Sequence, residues 1–175
     1  MIGNEKEFPE SLEERLKTME EEIEIEVEQG TYVRTSAPNS PYSGGVGPCV
    51  VAGAIYGKEG YMVHGVPGII EGKLEEMLDD LKKDVKNKTK LRIYIIGGCP
   101  TYLSVEELRS LRLNKEKFSN EFMNDKNALV DRIRGAGFDE AIKKIRWCPR
   151  FYIQELIFNL ANGKVKIVEE ECREI

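Results

Sequence analysis

An α+β fold, with a mixed and largely antiparallel β-sheet flanked by helices, is the class this sequence predicts. Two turn signals, Gly57-Lys58-Glu59-Gly60 and Ala161-Asn162-Gly163, stand between apolar runs and read as hairpins, which pair strands antiparallel. Amphipathic stretches of helical period lie among these strands, and the strands outnumber those a doubly wound parallel sheet needs. The 175 residues, 41% of them hydrophobic, suffice for a single domain over 1–175 with its own core. No repeat, linker or low-complexity segment divides them.

Taken in order, Ser11-Leu12-Glu13-Glu14 has the form of a capping box and predicts a helix to about Glu21. Ile23, Ile25 and Val27 alternate with Glu24, Glu26 and Glu28, the period of a strand with one buried face, and Thr31 to Thr35 is its expected partner after Gly30. Ser36 to Pro48, rich in Ser, Pro and Gly, reads as a long loop of the kind that carries function. Cys49 to Tyr56 is a buried strand and Tyr61 to His64 its return. Leu74, Met77, Leu78, Leu81 and Val85 share one face of a helix from Glu71 to Lys86. Leu91 to Ile96 is a fully buried strand ending on Gly97-Gly98-Cys99-Pro100. Ser104 to Glu107 caps a short helix, and Asp125 to Arg134 forms another, stopped by Gly135 and Gly137. Asp139 to Lys144 predicts one more helical turn, Ile145 to Pro149 is extended, and Ile153–Leu160 with Lys164–Val168 closes the chain as a hairpin.

The formal net charge is −5, and residues 1–30 hold eleven Glu against three Lys or Arg. Residues 1–22 therefore read as an acidic helix or arm. Duplex binding needs a clustered basic footprint, so nucleic acid is excluded as a partner class. The longest uncharged apolar stretch, Cys49 to Tyr56, is too short to span a bilayer, and no membrane insertion is expected. No secretory leader pattern opens the sequence. Cys49, Cys99, Cys148 and Cys172 are scattered singly and His64 is the one histidine, a spacing unlike that of a zinc site. The expectation is free thiols in a reducing cytoplasm, with no metal and no organic cofactor.

Chemistry concentrates in Ser43-Gly44-Gly45-Val46-Gly47-Pro48-Cys49 and in His64. A cysteine directly after a glycine-rich segment presents its sulfur at a strand end, and the segment turns backbone N–H groups toward a developing oxyanion. The hairpin returns His64 to the same face as Cys49. With Lys58-Glu59 as the loop, His64 stands opposite Gly53, four residues along the strand from Cys49, or about 13 Å, and a bulge at Gly53 is needed to close the gap. The plain alternatives are a small buried cysteine and a satisfied core histidine. Cys99, Cys148 and Cys172 read as packing or surface residues.

The segment Ser43-Gly-Gly-Val-Gly-Pro-Cys49-Val-Val resembles the Thr-Leu-Gly-Leu-Gly-Ser-Cys-Val signature of the CheD family of chemoreceptor glutamine deamidases, which belong with the cytotoxic-necrotizing-factor-like cysteine hydrolases. Met62-Val-His64-Gly-Val-Pro67 is similar to the family's Met-Asn-His and nearby proline, and Ile95-Ile-Gly97-Gly98-Cys99 to its Phe-Gly-Gly-Ala strand end. Asn127 with its helix and the final hairpin continue the likeness, which spans about residues 22 to 168. It implies a layered sandwich, with Cys49 as nucleophile, His64 as base and Ser43 in place of the family's catalytic threonine. Around them, Gly45, Gly47, Gly97 and Gly98 become candidates for the oxyanion and substrate wall. Pro48 and Val63 depart from the family's serine and asparagine, and residues 100–126 read as an extra helical insertion. The implied function is a cytoplasmic cysteine amidohydrolase that shifts Cys49 toward thiolate and deamidates a glutamine of a partner, such as a chemoreceptor-like signalling protein. Two further readings stand beside it: a catalytically silent binding or regulatory module, and metal-assisted hydrolysis with His64 and two or more cysteines converging.

Overall fold

The computed structural model describes residues 23–99, 115–149 and 152–171. The expected helices at Ser11–Glu21 and Ser104–Glu107, and Cys172, lie outside them. The described residues form nine strands and two long helices in three layers, an α+β sandwich. One sheet is built of β1 (Glu24–Glu26), β3 (Ser40–Val46), β8 (Tyr152–Asn159) and β9 (Lys164–Glu171), in that order. The second has the order β2 (Thr31–Ser36), β5 (Glu59–Gly65), β4 (Val50–Tyr56), β6 (Leu91–Gly97) and β7 (Ile142–Trp147). Helices α1 (Glu71–Asp84) and α2 (Lys115–Ile133) supply the third layer.

Two cores follow from the strand period. On one face of the second sheet Val50, Ala52, Ala54, Tyr61 and Val63 pack against Leu74, Met77, Leu78 and Leu81 of α1 and Leu129 and Ile133 of α2. On its other face Cys49, Val51, Ile55, Met62 and Ile96 meet Val46, Leu156 and Phe158 of the first sheet. Strand β4 is covered on both sides, which explains its unbroken apolar sequence. Gly53 belongs to this packing: a Cβ there would stand 2.5 Å from Phe158 Cζ. The register runs evenly from Val50 to Tyr56, so Gly53 admits a phenylalanine ring and makes no bulge.

Several elements differ from expectation for physical reasons. Thr31–Thr35 does not pair with the strand before it. The turn at Gly30 (φ 83°) carries the chain into the second sheet, where β2 runs antiparallel to β5, while β1 pairs parallel with β3. The expected Ser36–Pro48 loop is mostly strand β3. Its Ser40 and Ser43 are small enough to be buried between sheets, and its backbone bonds on both sides outweigh a loop-like composition. The hairpin turns on Gly57-Lys58 rather than Lys58-Glu59, because Gly57 takes a positive φ of 62°. Helix α2 begins at Lys115, so residues 115–126 of the expected insertion form its N-terminal part. The helical turn at Asp139 lasts only to Ala141, since Ile142 pairs in parallel with Ile93. No helix among the described residues is long and apolar enough to cross a membrane.

Candidate active site

The Gly47–Cys49 turn is pinned from below by the end of β6. Gly98 N–H donates to the Cys49 carbonyl at 2.6 Å, and Cys99 N–H to the Gly47 carbonyl at 2.8 Å. Gly97 sits at φ 94°, and a Cβ there would overlap the Cys49 carbonyl oxygen, so only glycine permits this approach. Upstream, β3 is irregular between Ser43 and Val46, where exposed Gly45 at φ 65° absorbs the mismatch. Ser43 is left pointing inward and fully buried.

Strand β5 brings His64 to the same end. The observed turn sets His64 opposite Val51, so it lies two residues, about 7 Å, from Cys49 along the edge of β4. Cys49 packs beside Val51, and His64 bonds across to the first sheet, so both side chains enter the gap between sheets. His64 Nδ1 is 2.9 Å from Ser43 Oγ and 3.1 Å from the Val27 carbonyl, and Ser43 Oγ–H donates to that carbonyl at 3.2 Å. A carbonyl only accepts, so Nδ1 carries the hydrogen and the lone pair lies on Nε2. Nε2 is buried and has no hydrogen-bond partner among the described residues. A ring fixed by one nitrogen and left unsatisfied at the other offers a free hydrogen-bond acceptor.

Burial governs both protonation states. Desolvation pushes His64 below its ordinary value of 6.5, against the Val27 carbonyl and the charge of Glu26, which favour the cation. Desolvation also pushes the Cys49 thiol up. This runs against the expected shift of Cys49 toward thiolate: burial of a thiol only 8% exposed favours its protonated form. The pair rests as neutral thiol and neutral imidazole.

The expected roles of Gly97 and Gly98 also change. Gly97 N–H is taken by Gln154 Oε1 at 2.8 Å and Gly98 N–H by the Cys49 carbonyl, so neither amide faces an oxyanion. They anchor the turn instead. By contrast, the amides of Gly47 and Cys49 have no acceptor among the described residues. Behind the turn, buried Lys126 holds the Gly98 carbonyl at 3.1 Å, its Nζ 4.8 Å from the centre of the Trp147 ring. A small apolar cavity of about 160 Å³ opens beside the histidine, walled by His64, Gly30, Val66, Ile69 and Ile70 and rimmed by Lys73; Cys49 is not in its wall. Among the described residues no three His, Cys, Asp or Glu side chains stand close enough to share a metal ion.

No protein-family model and no curated protein matches this chain.

The structure thus joins Ser43 to His64 and sets Cys49 about two residues away on the same sheet face, with no hydrogen bond between Cys49 and His64 among the described residues, while Gly45, Gly47, Gly97 and Gly98 shape the chain around them. Two contributors escaped the sequence reading. Val27 acts through its backbone carbonyl, which no side-chain identity signals. Gln154 lies 57 positions from the Gly97 amide it accepts from. Its one visible signal is a polar residue at a buried position of an alternating strand.

Proposed function

We propose that this chain is a cysteine-dependent amidohydrolase acting on the side-chain amide of a glutamine in a partner protein. The observation that carries the reading is His64, tethered at Nδ1 by Ser43 and Val27 and unpartnered at Nε2, on the same sheet face as Cys49. The glutamine specificity and a chemoreceptor-like partner rest on the CheD resemblance of residues 43–67.

Because the resting thiol is neutral, proton transfer accompanies attack. The Cys49 side chain swings toward Nε2, its proton passes to the imidazole, and Sγ bonds to the amide carbon. The Cys49 N–H, and beside it that of Gly47, donate to the oxyanion. The imidazolium, held by Ser43 Oγ and the Val27 carbonyl, returns the proton to the departing nitrogen as the C–N bond breaks and ammonia leaves. Water then attacks the thioester, giving its proton to His64. The C–S bond breaks, the thiol is re-formed and a glutamate side chain results. The apolar cavity beside His64 accommodates the aliphatic stem of the substrate residue.

Alkylation of Cys49 by iodoacetamide, followed by intact mass from pH 5 to 9, tests the core of this mechanism. His64→Ala should slow Cys49 labelling by at least about tenfold near pH 7, and should lower turnover on a true substrate by about 10²–10⁴. Equal labelling rates would remove His64 from the mechanism, and ammonia release by Cys49→Ala would remove the nucleophile. The raised Cys49 thiol favours a second reading, a binding module that keeps the fold without turnover. Ordinary, His64-independent thiol behaviour together with tight partner binding would select it.

A further inference from the structure

A second hollow, of about 510 Å³, opens at the other edge of the sandwich, where β7 of one sheet and β9 of the other splay apart. Its floor is Tyr94, Val165 and Ile167. Three cationic side chains of one sheet face it, Arg92 from β6 and Lys144 and Arg146 from β7, while Lys164 at the start of β9 borders it. This concentration occurs in a chain whose net charge is −5.

Among the described residues, Arg146 pairs with Glu169 at 3.0 Å, while no carboxylate pairs with Arg92, Lys144 or Lys164. Arg92 donates one N–H to the Gly163 carbonyl at 2.7 Å. A neutral acceptor leaves its charge uncompensated and holds the guanidinium fork in place. The register sets Lys144 beside Tyr94 and Arg146 beside Ile96, so both point toward the gap between sheets, where an apolar side chain is the usual occupant. An inward charge on an edge strand is a known guard against edge-to-edge pairing, and that suffices for Lys144. It does not account for Arg92, on a strand bonded on both sides. Three cations facing one concavity, only one of them paired with a carboxylate among the described residues, describe a receptor for an anion.

We propose that this groove binds a small phosphate-bearing molecule. The volume lies in the range of small-ligand sites, and the Arg92 guanidinium, with Lys144 beside it, suits phosphate oxygens, while the Tyr94, Val165 and Ile167 floor offers an apolar surface to whatever carries the phosphate. The site is separate from the Cys49–His64 centre and stands whether or not that centre turns over.

Isothermal titration of the full chain at low salt, with adenosine monophosphate, pyrophosphate and adenosine as probes, tests it. At least one phosphate probe should bind, and adenosine should bind at least about tenfold more weakly than adenosine monophosphate. Monophosphate binding tighter than pyrophosphate identifies an organic phosphate as the ligand class, and the reverse order an inorganic one. Lys144 is exposed, so Lys144→Glu should leave the thermal unfolding curve in place and weaken phosphate binding by at least about tenfold. No heat with either phosphate probe at millimolar concentration overturns the proposal, and so does undiminished binding by the folded Lys144→Glu variant.

Discussion

Replacing Ser43 by alanine separates positioning from packing at this site. Alanine deletes the oxygen that stands 2.9 Å from His64 Nδ1 and 3.2 Å from the Val27 carbonyl. It orphans nothing, because Nδ1–H keeps the carbonyl at 3.1 Å and that carbonyl keeps Nδ1–H. The loss is then about one neutral hydrogen bond, 0.5–1.5 kcal/mol. In a chain of this size each kcal/mol lowers Tm by about 2–4 °C. If the lost bond is felt fully in the transition state, His64-dependent labelling of Cys49 slows about two- to tenfold. The pH profile supplies the readout that packing alone does not move. Ser43 Oγ accepts from Nδ1–H, so its removal withdraws a partner from the imidazolium, and the midpoint at which labelling rises should shift to lower pH. Iodoacetamide labelling against pH and a thermal melt on the same preparation decide the matter. A lower Tm with an unmoved midpoint and rate would make Ser43 merely structural. A loss as large as that of His64→Ala would show that the Val27 carbonyl does not hold the ring unaided, contrary to the geometry.

Gly97→Ala should distort the turn that carries Cys49, because its Cβ overlaps the Cys49 carbonyl and φ 94° is strained for any side chain. The expected result is a lower Tm together with loss of the His64 dependence of labelling; an unchanged melt would refute the close approach. Gln154→Leu leaves the buried Gly97 N–H without its acceptor and should cost about 1–3 kcal/mol in urea unfolding, whereas a change below about 0.5 kcal/mol would show that this bond holds little. The pH dependence of stability follows from His64, whose folded value lies below its ordinary 6.5. As pH falls below about 6.5 the unfolded chain takes up a proton that the folded chain resists, so stability declines with acid through that window. His64→Gln should flatten this component between about pH 7 and 5, and identical slopes in both proteins would contradict it.

Much of the fold was legible because period and burial agree. The alternation in β8, the apolar run of β4 and the one-sided face of α1 all reflect how many sides of an element are covered. What escaped was set by partners distant in sequence. Nothing in Ser40–Val46 says that β1 and β8 will flank it, and its Gly and Pro content imitates a loop. Likewise, Thr31–Ser36 is a strand whichever neighbour it takes. The single turn at Gly30, not the strand's own residues, sends it to β5.

The site shows the same division more sharply. Any two-residue hairpin loop keeps Cys49 and His64 on one face, because strand residues alternate and the turn joins them in a fixed parity. That facing was therefore secure against an error in placing the turn. Their separation was not: moving the turn by one residue, from Lys58-Glu59 to Gly57-Lys58, moves His64 from opposite Gly53 to opposite Val51 and brings it two residues nearer Cys49. Gly57, with its positive φ, makes that one-residue choice. A bulge at Gly53 thereby becomes unnecessary, and the glycine is left to receive Phe158 between the sheets. The protonation state was beyond sequence for a related reason. A histidine near a cysteine suggests an ion pair only when solvent or another charge stabilises it. Here both side chains lie between two sheets, and burial drives each toward its neutral form. In the proposed mechanism the proton transfers during attack, so the orientation of Nε2, more than the acidity of the thiol, would set the rate.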